Sequence, residues 1–351
     1  MIVQKLALKN FRNHSSKTYE FKPGINIITG PNGIGKTNIV ESIYYLSLGR
    51  SFRTIDESEL VKQGKEEAEI TALIKEGEIS RKIHVLFAKQ GRVVLINDKP
   101  IKKLSELSQI VNVLLFEPRD VMLFRGSPKE RRSLLDINIS KQSKTYLENI
   151  SRYNKILKER NEILKQENPD LTLLETTTEM LSEVAKPIIV SRSAYLKDIN
   201  DILNKITRAL TGEDNDIQIK YYPFVIPDEN YETKAKSAFN QALEGDLKRK
   251  ATSIGIHRED FSLALNGKDI AAFGSQGENR IVALALILSP YFLIKDKNKR
   301  PIIVLDDVMS ELDQTHRLRL IKLLQKFEQT FITATRLDVK DAAHYQLKEK
   351  I

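Results

Sequence analysis

The chain has 351 residues, with 56 Lys and Arg, 47 Asp and Glu, and neither Cys nor Trp. At roughly 150 residues per domain this length indicates about two domains, and 41% hydrophobic with 29% charged residues are typical of a globular chain. The lack of Cys excludes disulfides, thiol catalysis and Cys-based metal sites, and the five His form no ligand pair at helical spacing. No apolar run approaches the roughly 18 residues that span a bilayer, and no secretory signal is recognisable, so we expect a cytoplasmic protein.

The net charge of +9 is unevenly distributed along the chain. Residues 119–165 hold twelve Lys or Arg against six Asp or Glu. A segment of this kind binds the phosphates of a nucleic acid or is simply the solvated surface of a helix, and charge alone favours neither interpretation.

The first hundred residues have the pattern of strands with one helix. The strand at 24–29 leads into a glycine-rich turn, and a helix is predicted directly after it at 36–48. Alternating apolar and polar residues predict a further set of mainly antiparallel strands. These strands are predicted at 2–8, 68–75, 81–87 and 92–96.

From about residue 127 the apolar residues recur at helical spacing. Ser127 and Pro128 are typical of an N-cap and a first helical position. Two helical stretches follow, at 127–164 and 171–210, with Pro187 as an expected kink or break in the second. This pattern predicts an antiparallel hairpin of two long helices.

After residue 227 the pattern of an α/β domain returns. A helix at 281–293, a buried strand at 301–305, a helix at 316–327 and a strand at 330–335 are predicted. We therefore expect one α/β domain that a helical lobe splits in two. The predicted parts are residues 1–125 and 226–351 for the α/β domain and residues 126–225 for the inserted helical-hairpin lobe.

Residues 30–37 match the phosphate-binding pattern G-x-x-x-x-G-K-[ST] completely, and they lie between a predicted strand and a predicted helix. In such a P-loop the backbone N–H groups surround phosphate oxygens, and the helix N terminus adds its positive dipole end. We expect Lys36 to contact the β- and γ-phosphates and Thr37 to bind Mg²⁺. The nucleotide-binding candidates are Gly30, Pro31, Asn32, Gly33, Ile34, Gly35, Lys36 and Thr37.

A second motif is the apolar strand that ends in Asp306 and Asp307. Asp306 is expected to orient Mg²⁺ beside Thr37, and Asp307 to orient or deprotonate the attacking water. With Lys36, these two carboxylates are the catalytic candidates. Acidic residues are also common at ordinary turns, so this interpretation depends on the other motifs.

A third motif, Gly274-Ser275-Gln276-Gly277-Glu278-Asn279-Arg280, opens the apolar helix that precedes this strand. A Ser-x-Gly sequence at a helix N terminus offers a hydroxyl and free N–H groups to an anion, although an ordinary N-cap has the same pattern. After the strand come Ser310-Glu311-Leu312-Asp313.

Taken together, these motifs resemble those of ABC-type ATPases, and within them the SMC-like branch. The resemblance implies that Ser275, Gln276 and Gly277 form a signature motif that completes the nucleotide site of a second subunit. It also implies that Asp313 is a nucleotide-binding candidate, in a D-loop that passes between the two sites. Two composite sites would then form in an ATP-closed homodimer. The fold class implied is an ABC-type α/β ATPase lobe with mixed sheets and an antiparallel subdomain.

Further segments along nearly the whole chain are similar to the RecF family of recombination mediators. They are residues 8–14 (LKNFRNH), 51–56, 116–121, 126–136, 255–260 (GIHRED) and 305–313. This resemblance implies binding of ATP and Mg²⁺, and of single-stranded, double-stranded, gapped or junction DNA. It also implies cooperation with RecO and RecR in loading RecA onto single-stranded DNA.

Two departures from the ABC pattern concern hydrolysis. ABC enzymes usually carry Glu where this chain has Asp307, and a His at the end of the last strand, where this chain has Thr333-Ala334-Thr335-Arg336. We therefore expect weak, DNA-dependent ATP hydrolysis that serves as a switch.

Several residues keep two interpretations at this stage. Arg53 is a candidate for contact with nucleotide phosphate or DNA, or for a structural salt bridge. Glu117 and Asp120 fall in the loop that carries a Gln in ABC proteins, and their role stays open. For the charged residues of the helical lobe and the 255–260 segment, DNA or ATP contact and a purely structural or solvated role are equally expected. These residues are Arg131, Arg132, Lys141, Lys144, His257 and Arg258.

Three other functions were weighed against the DNA-binding dimer. The nucleotide-binding subunit of an ABC transporter would lack the long helical insertion and would have a membrane partner. An SMC-like ATPase linked to a nuclease would need an additional acidic metal-binding domain. A long-armed structural SMC protein is excluded by the short predicted hairpin.

Overall fold

The computed structural model describes residues 1–89 and 91–348. These residues form two compact units, each with its own core. Unit 1 comprises Met1–Val121, Lys205–Asp214 and the described residues from Arg280 onward, and unit 2 comprises Met122–Asn204 and Asn215–Asn279. Across the described ranges, no helix combines the length and the apolar character needed to cross a membrane.

The strands belong to three sheets. In chain order they are β1 (Ile2–Phe11), β2 (His14–Glu20), β3 (Gly24–Thr29), β4 (Ala68–Glu76), β5 (Ile79–Ala88), β6 (Gly91–Ile96), β7 (Lys99–Pro100), β8 (Val113–Phe116), β9 (Ile217–Tyr222), β10 (Asp260–Leu265), β11 (Lys268–Asp269), β12 (Ile302–Leu305), β13 (Gln329–Ala334) and β14 (Ala343–Gln346).

The helices vary from single turns to one very long element. In chain order they are α1 (Lys36–Leu48), α2 (Ser105–Ile110), α3 (Pro128–Gln142), α4 (Lys144–Leu164), α5 (Leu171–Thr211), α6 (Tyr231–Arg249), α7 (Ile270–Phe273), α8 (Gln276–Leu288), α9 (Pro290–Leu293) and α10 (Gln314–Leu324). Short 3-10 turns lie at Glu57–Leu60, Pro118–Met122, Lys297–Lys299 and Met309–Glu311.

Unit 1 contains a parallel sheet with the strand order β14-β3-β13-β12-β8 and an antiparallel sheet with the order β2-β1-β4-β5-β6-β7. All four residues of β12 are buried, as expected for an inner strand of a parallel sheet. Apolar residues of α1, including Ile39 and Ile43, share one core with Leu6 of the antiparallel sheet and Val304 of the parallel sheet. The helix that follows the P-loop is therefore fixed between the two sheets.

Unit 2 combines α3, α4 and α6 and most of α5 with a small antiparallel sheet of order β11-β10-β9. Leu243 and Leu247 of α6 pack against buried residues of α4 and α5, including Leu164 and Leu174. Polar contacts join the same helices, since Arg160 of α4 forms a buried ion pair with Asp246 of α6 at 2.9 Å.

The predicted elements nearest the motifs are confirmed. Strand β3 and helix α1 have the predicted bounds, and most other strands and helices of the α/β domain occur at the predicted positions with small shifts of their ends. The single helix predicted at 281–293 is instead two helices, α8 and α9, of which the first begins at Gln276. Two details of the helical stretches were wrong. The first stretch is two helices, because Ser143 leaves the helical conformation and accepts the Tyr146 N–H (3.1 Å) as the N-cap of α4. The second stretch is the single helix α5, so the alternative of a break at Pro187 is wrong, while a kink there stays a prediction; the neighbouring Ile188 and Ile189 are fully buried.

The boundaries of the units differ from those predicted for the inserted lobe. The prediction ended this lobe at residue 225, whereas unit 2 extends to Asn279 and omits Lys205–Asp214. Helix α6, which was not predicted, packs on α4 and α5, and β10 pairs with β9 over six registered positions from Asp260 to Leu265. These contacts attach residues 226–279 to the helices.

Candidate nucleotide site and signature loop

The P-loop connects β3 to α1 within unit 1, as the sequence pattern predicts. Gly35 is the N-cap of α1 and has a φ of 109°, a conformation that favours glycine. A Cβ atom at this position would also lie 2.5 Å from the side-chain oxygen of Asn13. Only a residue without a side chain lets the loop turn into the helix this close to the β1–β2 connection.

Two side chains hold the P-loop in place, Asn13 of the β1–β2 connection and His14, the first residue of β2. Asn13 donates to the Ile34 carbonyl (2.9 Å) and accepts from Asn38 (2.8 Å). His14 contacts the Gly35 carbonyl through Nε2 at 3.2 Å, which requires the tautomer with hydrogen on Nε2. Burial lowers the pKa of His14, so the ring is neutral at pH 7. Both residues lie in the family-like segment 8–14, but no role was predicted for them.

Lys36 lies at the start of α1 with its ammonium group directed into the P-loop. Its Nζ donates to the carbonyls of Gly30 (2.8 Å) and Pro31 (2.9 Å), and the residue is only 8% exposed. The P-loop therefore surrounds the Lys36 ammonium group, which already donates hydrogen bonds to carbonyl groups of the loop backbone.

Asp306 follows β12 and lies next to Thr37, as predicted. Thr37 Oγ1 donates to Asp306 Oδ1 at 3.0 Å, and Thr333 Oγ1 of β13 donates to the same oxygen at 2.6 Å. Burial raises the pKa of Asp306, and the two hydroxyl groups act in the opposite direction. Thr333 was not predicted as a site residue.

Asp307 adopts a left-handed backbone conformation with a φ of 53°. Its N–H donates to Thr333 Oγ1 (2.9 Å), and Ser310 donates to its carbonyl oxygen (2.9 Å). The chain therefore turns sharply after β12, and one threonine hydroxyl fixes both carboxylate residues.

Arg53 lies beside the first turn of α1. Its Nη1 donates to Asn38 Oδ1 (2.8 Å) and lies 3.4 Å from Oε2 of Glu41, a fully buried carboxylate that also binds Arg12. The positive charge of Arg53 acts on Asp306. The structural salt bridge is therefore present, and the guanidinium group lies near the P-loop.

Glu117 follows β8, the strand next to β12 in the parallel sheet. Burial raises its pKa to about 7, and the charges of Asp120 and Asp306 act in the same direction. Arg119 donates to Glu117 at 2.6 Å, and the Glu117 N–H donates to Asp120 at 2.8 Å. The loop after β8 thus carries a carboxyl group in the electrostatic neighbourhood of Asp306.

Ser275, Gln276 and Gly277 lie at the N terminus of α8, within unit 2. Ser275 and Glu278 form a capping box: the Ser275 N–H donates to Glu278 Oε2 (2.7 Å), and the Glu278 N–H donates to Ser275 Oγ (3.2 Å). Because Ser275 Oγ accepts from Glu278, its own hydrogen remains available to another acceptor. These bonds lower the pKa of Glu278, which is ionised at pH 7.

Two further residues hold the loop before Ser275, and neither has a recognisable sequence signal. Arg125 donates to the carbonyls of Gly274 (2.6 Å) and Ala271 (3.2 Å). Asn279 Nδ2 donates to the Gly274 carbonyl (3.1 Å) and to the Ser275 carbonyl (2.9 Å). The loop is fixed from both sides.

Asp313 is the N-cap of α10. Its Oδ1 accepts the His316 N–H at 2.9 Å, and its carboxylate also contacts the His316 ring. Just before it, Glu311 accepts from Arg280 through its carbonyl (2.5 Å) and through its carboxylate (2.6 Å). Residues 310–313 are thus held by a helix cap and an ion pair.

The parallel sheet, the P-loop and the carboxylate pair after β12 define an ABC-type ATPase fold of the SMC-like class. The family model described as the RecF/RecN/SMC N-terminal domain matches residues 2–348. The chain is 36% identical to the DNA replication and repair protein RecF of Clostridium novyi, over 97% of this chain and 95% of that protein. The chain therefore belongs to the RecF/RecN/SMC family, in its RecF branch.

Solved structures agree with this assignment. A recombination mediator protein RecF of the RecFOR pathway, solved with ATP, superimposes with a TM-score of 0.88 at 34% identity and covers 96% of this chain and 93% of its own. The Smc head domain of Pyrococcus furiosus has a TM-score of 0.58 at 20% identity, over 95% of this chain and 89% of its own, and shows the shared fold alone. The predicted fold class and family resemblance are confirmed.

Proposed function

We propose that this protein is an ATP-driven, DNA-binding homodimer that acts as a recombination mediator in DNA replication and repair. The observation that carries the proposal is the hydrogen bond of 3.0 Å between Thr37 of the P-loop and Asp306 after β12. It joins the two motifs that ATP hydrolysis requires, in a chain whose relatives include a RecF solved with ATP. We infer DNA binding and action with RecO and RecR from similarity to a DNA replication and repair protein RecF and to a recombination mediator of the RecFOR pathway.

The P-loop is the proposed binding site of the ATP phosphates. Backbone N–H groups of residues 30–37 would bind phosphate oxygens, and Lys36 would exchange its carbonyl partners for the β- and γ-phosphates. Arg53 is close enough to the first turn of α1 to support a phosphate contact.

Thr37 and Asp306 are the proposed ligands of Mg²⁺. A hydroxyl and a carboxylate oxygen 3.0 Å apart fit this ion, which prefers oxygen ligands and keeps several waters. When bound, Mg²⁺ supplies positive charge that neutralises the phosphates. Asp307 would orient or deprotonate the attacking water, and its short side chain supports slow hydrolysis.

The signature loop is proposed to act on the ATP of the partner subunit. The Ser275 hydroxyl hydrogen and the free N–H groups at Gln276 and Gly277 would bind the γ-phosphate there. For Asp313 we propose an indirect part, since its carboxylate caps α10 and thereby holds the D-loop. ATP would close the dimer over gapped or junction DNA, and hydrolysis would release it so that RecA can be loaded.

The substitution Ser275→Arg tests the composite site. A large cation at the N terminus of α8 would block closure by its bulk, while the P-loop of the same chain stays intact. We expect normal binding of a fluorescent ATP analogue but no ATP-dependent dimer in sedimentation velocity. ATP-dependent dimers of the variant would contradict the composite-site proposal.

A further inference from the structure

The turn at residues 255–258 in unit 2 is rigidly attached to α4. Gly255 has a φ of 119°, and a Cβ atom there would lie 2.5 Å from the Tyr153 hydroxyl. The His257 ring lies between that hydroxyl (2.9 Å) and the Thr252 carbonyl (3.1 Å). The Arg258 N–H donates back to the Gly255 carbonyl at 2.8 Å. Arg258 thus projects from a fixed backbone, and the residue is exposed.

The carboxylates around this turn are already paired. Both oxygens of Asp260 accept from Arg131, at 2.8 and 2.7 Å. Both oxygens of Asp136 accept from Arg192, at 2.8 and 3.0 Å, and Arg192 also donates to Glu259 at 2.7 Å. Two arginines therefore use the three carboxylates.

Two further arginines, Arg132 and Arg258, form no ion pair with a described residue. Arg132 is only partly exposed, and among the described residues its side chain hydrogen-bonds only the Glu259 carbonyl (2.6 Å). Arg258 forms no side-chain hydrogen bond or ion pair within the described ranges. Burial lowers the pKa of Arg132, and the charges of Arg192 and Arg258 act in the same direction, whereas those of Asp260 and Asp136 act in the opposite direction. Like charges held together in a partly desolvated place are unfavourable unless an anion joins them.

We propose that Arg132 and Arg258 form a binding site for a phosphate group, supplied by the DNA backbone or by a nucleotide. A planar guanidinium group can donate two parallel hydrogen bonds to the oxygens of one phosphate. The rigid backbone of the 255–258 turn reduces the entropy that Arg258 loses on binding. This inference rests on the proposed function, which requires both DNA and a nucleotide as ligands. It adds to that function the residues that would bind one of their phosphate groups.

The test compares Arg258→Gln with the matched control Arg152→Gln. Arg152 is exposed on α4 in the same unit and, like Arg258, has no ion pair with a described residue. Both variants lose one positive surface charge. A difference in ligand affinity between them therefore shows a specific role of Arg258 in phosphate binding. The measurements are the anisotropy of a labelled gapped duplex across a salt series and the affinity for a fluorescent ATP analogue.

If the phosphate belongs to DNA, Arg258→Gln weakens DNA binding about tenfold and reduces the salt slope by about one, with ATP affinity unchanged. If it belongs to a nucleotide, the affinity for the ATP analogue falls instead. Arg258→Lys, which keeps the charge, recovers part of either loss. Values for Arg258→Gln that equal those of Arg152→Gln in both assays overturn the site. If the wild-type protein binds no DNA, the proposed function is contradicted. The affinity for the ATP analogue then still tests whether Arg132 and Arg258 bind a phosphate group.

Discussion

At the scale of single residues, one carboxylate organises the candidate nucleotide site. Asp306 accepts from hydroxyl groups on two different elements, Thr37 of α1 and Thr333 of β13. The first partner was predicted, because the P-loop pattern specifies a hydroxyl at that position. The second was not, because a threonine in a buried strand has no distinctive pattern. Only the parallel register that pairs Leu305 with Ile332 brings Thr333 to the end of β12.

The substitution Thr333→Val should weaken the site without removing a ligand. Asp306 loses a hydrogen bond and the Asp307 N–H loses its acceptor, so we expect the free energy of unfolding to fall by about 1–2 kcal/mol. The Mg²⁺ concentration for half-maximal ATPase activity should rise, since Asp306 is no longer held. Chemical denaturation and an ATPase titration with Mg²⁺ measure the two effects.

The same strand offers a matched control. Thr330 is fully buried, and its hydroxyl has no hydrogen-bond partner among the described residues. Thr330→Val should therefore leave stability unchanged or raise it slightly, with normal Mg²⁺ dependence. Equal losses in the two variants would show that Thr333 acts only by packing.

At the scale of elements, the sequence predicted best where a local pattern decides the structure. The P-loop pattern specifies a strand before and a helix after it, and β3 and α1 begin and end as expected. Tertiary packing decided the other cases. Helix α5 continues through Pro187 because its flanking isoleucines are buried, and α6 depends on contacts with α4 and α5.

The contact between the 255–258 turn and α4 should make stability depend on pH. Burial lowers the pKa of His257 to about 4, whereas the unfolded ring titrates near its ordinary value of 6.5. Between these two pKa values His257 is protonated in the unfolded chain and neutral in the folded protein. Falling pH therefore favours unfolding. The residue should cost up to about 3 kcal/mol as pH falls from 6.5 to 4.

His257→Gln removes this titration and keeps a polar side chain. Denaturation curves of both proteins between pH 7 and pH 4 should show the wild type losing stability relative to the variant. A constant difference across that range would mean that His257 is not held neutral by its surroundings.

At the scale of the whole molecule, the chain carries its two sets of ATP-related motifs in different units. The P-loop and Asp306 belong to unit 1, and Ser275 and Gly277 belong to unit 2. Both sets were predicted to lie in one lobe, because the motifs themselves contain no information about α6 or β9. In the proposed dimer, each signature loop would meet the ATP of the partner subunit, so both sets of motifs would be used.

The charge of Glu278 should limit how tightly such a dimer closes. Its carboxylate is bonded to Ser275, the residue proposed to bind the γ-phosphate, so closure brings two anions together. Glu278→Gln keeps the capping box and removes this repulsion, which should tighten the ATP-dependent dimer about fivefold per site. Sedimentation equilibrium with ATP measures the dimer, and an unchanged or weaker dimer would contradict this expectation.

The most direct test of an ATP-gated DNA-binding dimer is the fluorescence anisotropy of a labelled gapped duplex, titrated with the protein in the presence and absence of ATP and Mg²⁺. We predict that binding tightens with ATP in the wild type and that Lys36→Met, which lacks the P-loop ammonium group, loses this dependence. Equal DNA affinity of the wild type with and without ATP would contradict the central claim that the nucleotide controls DNA binding.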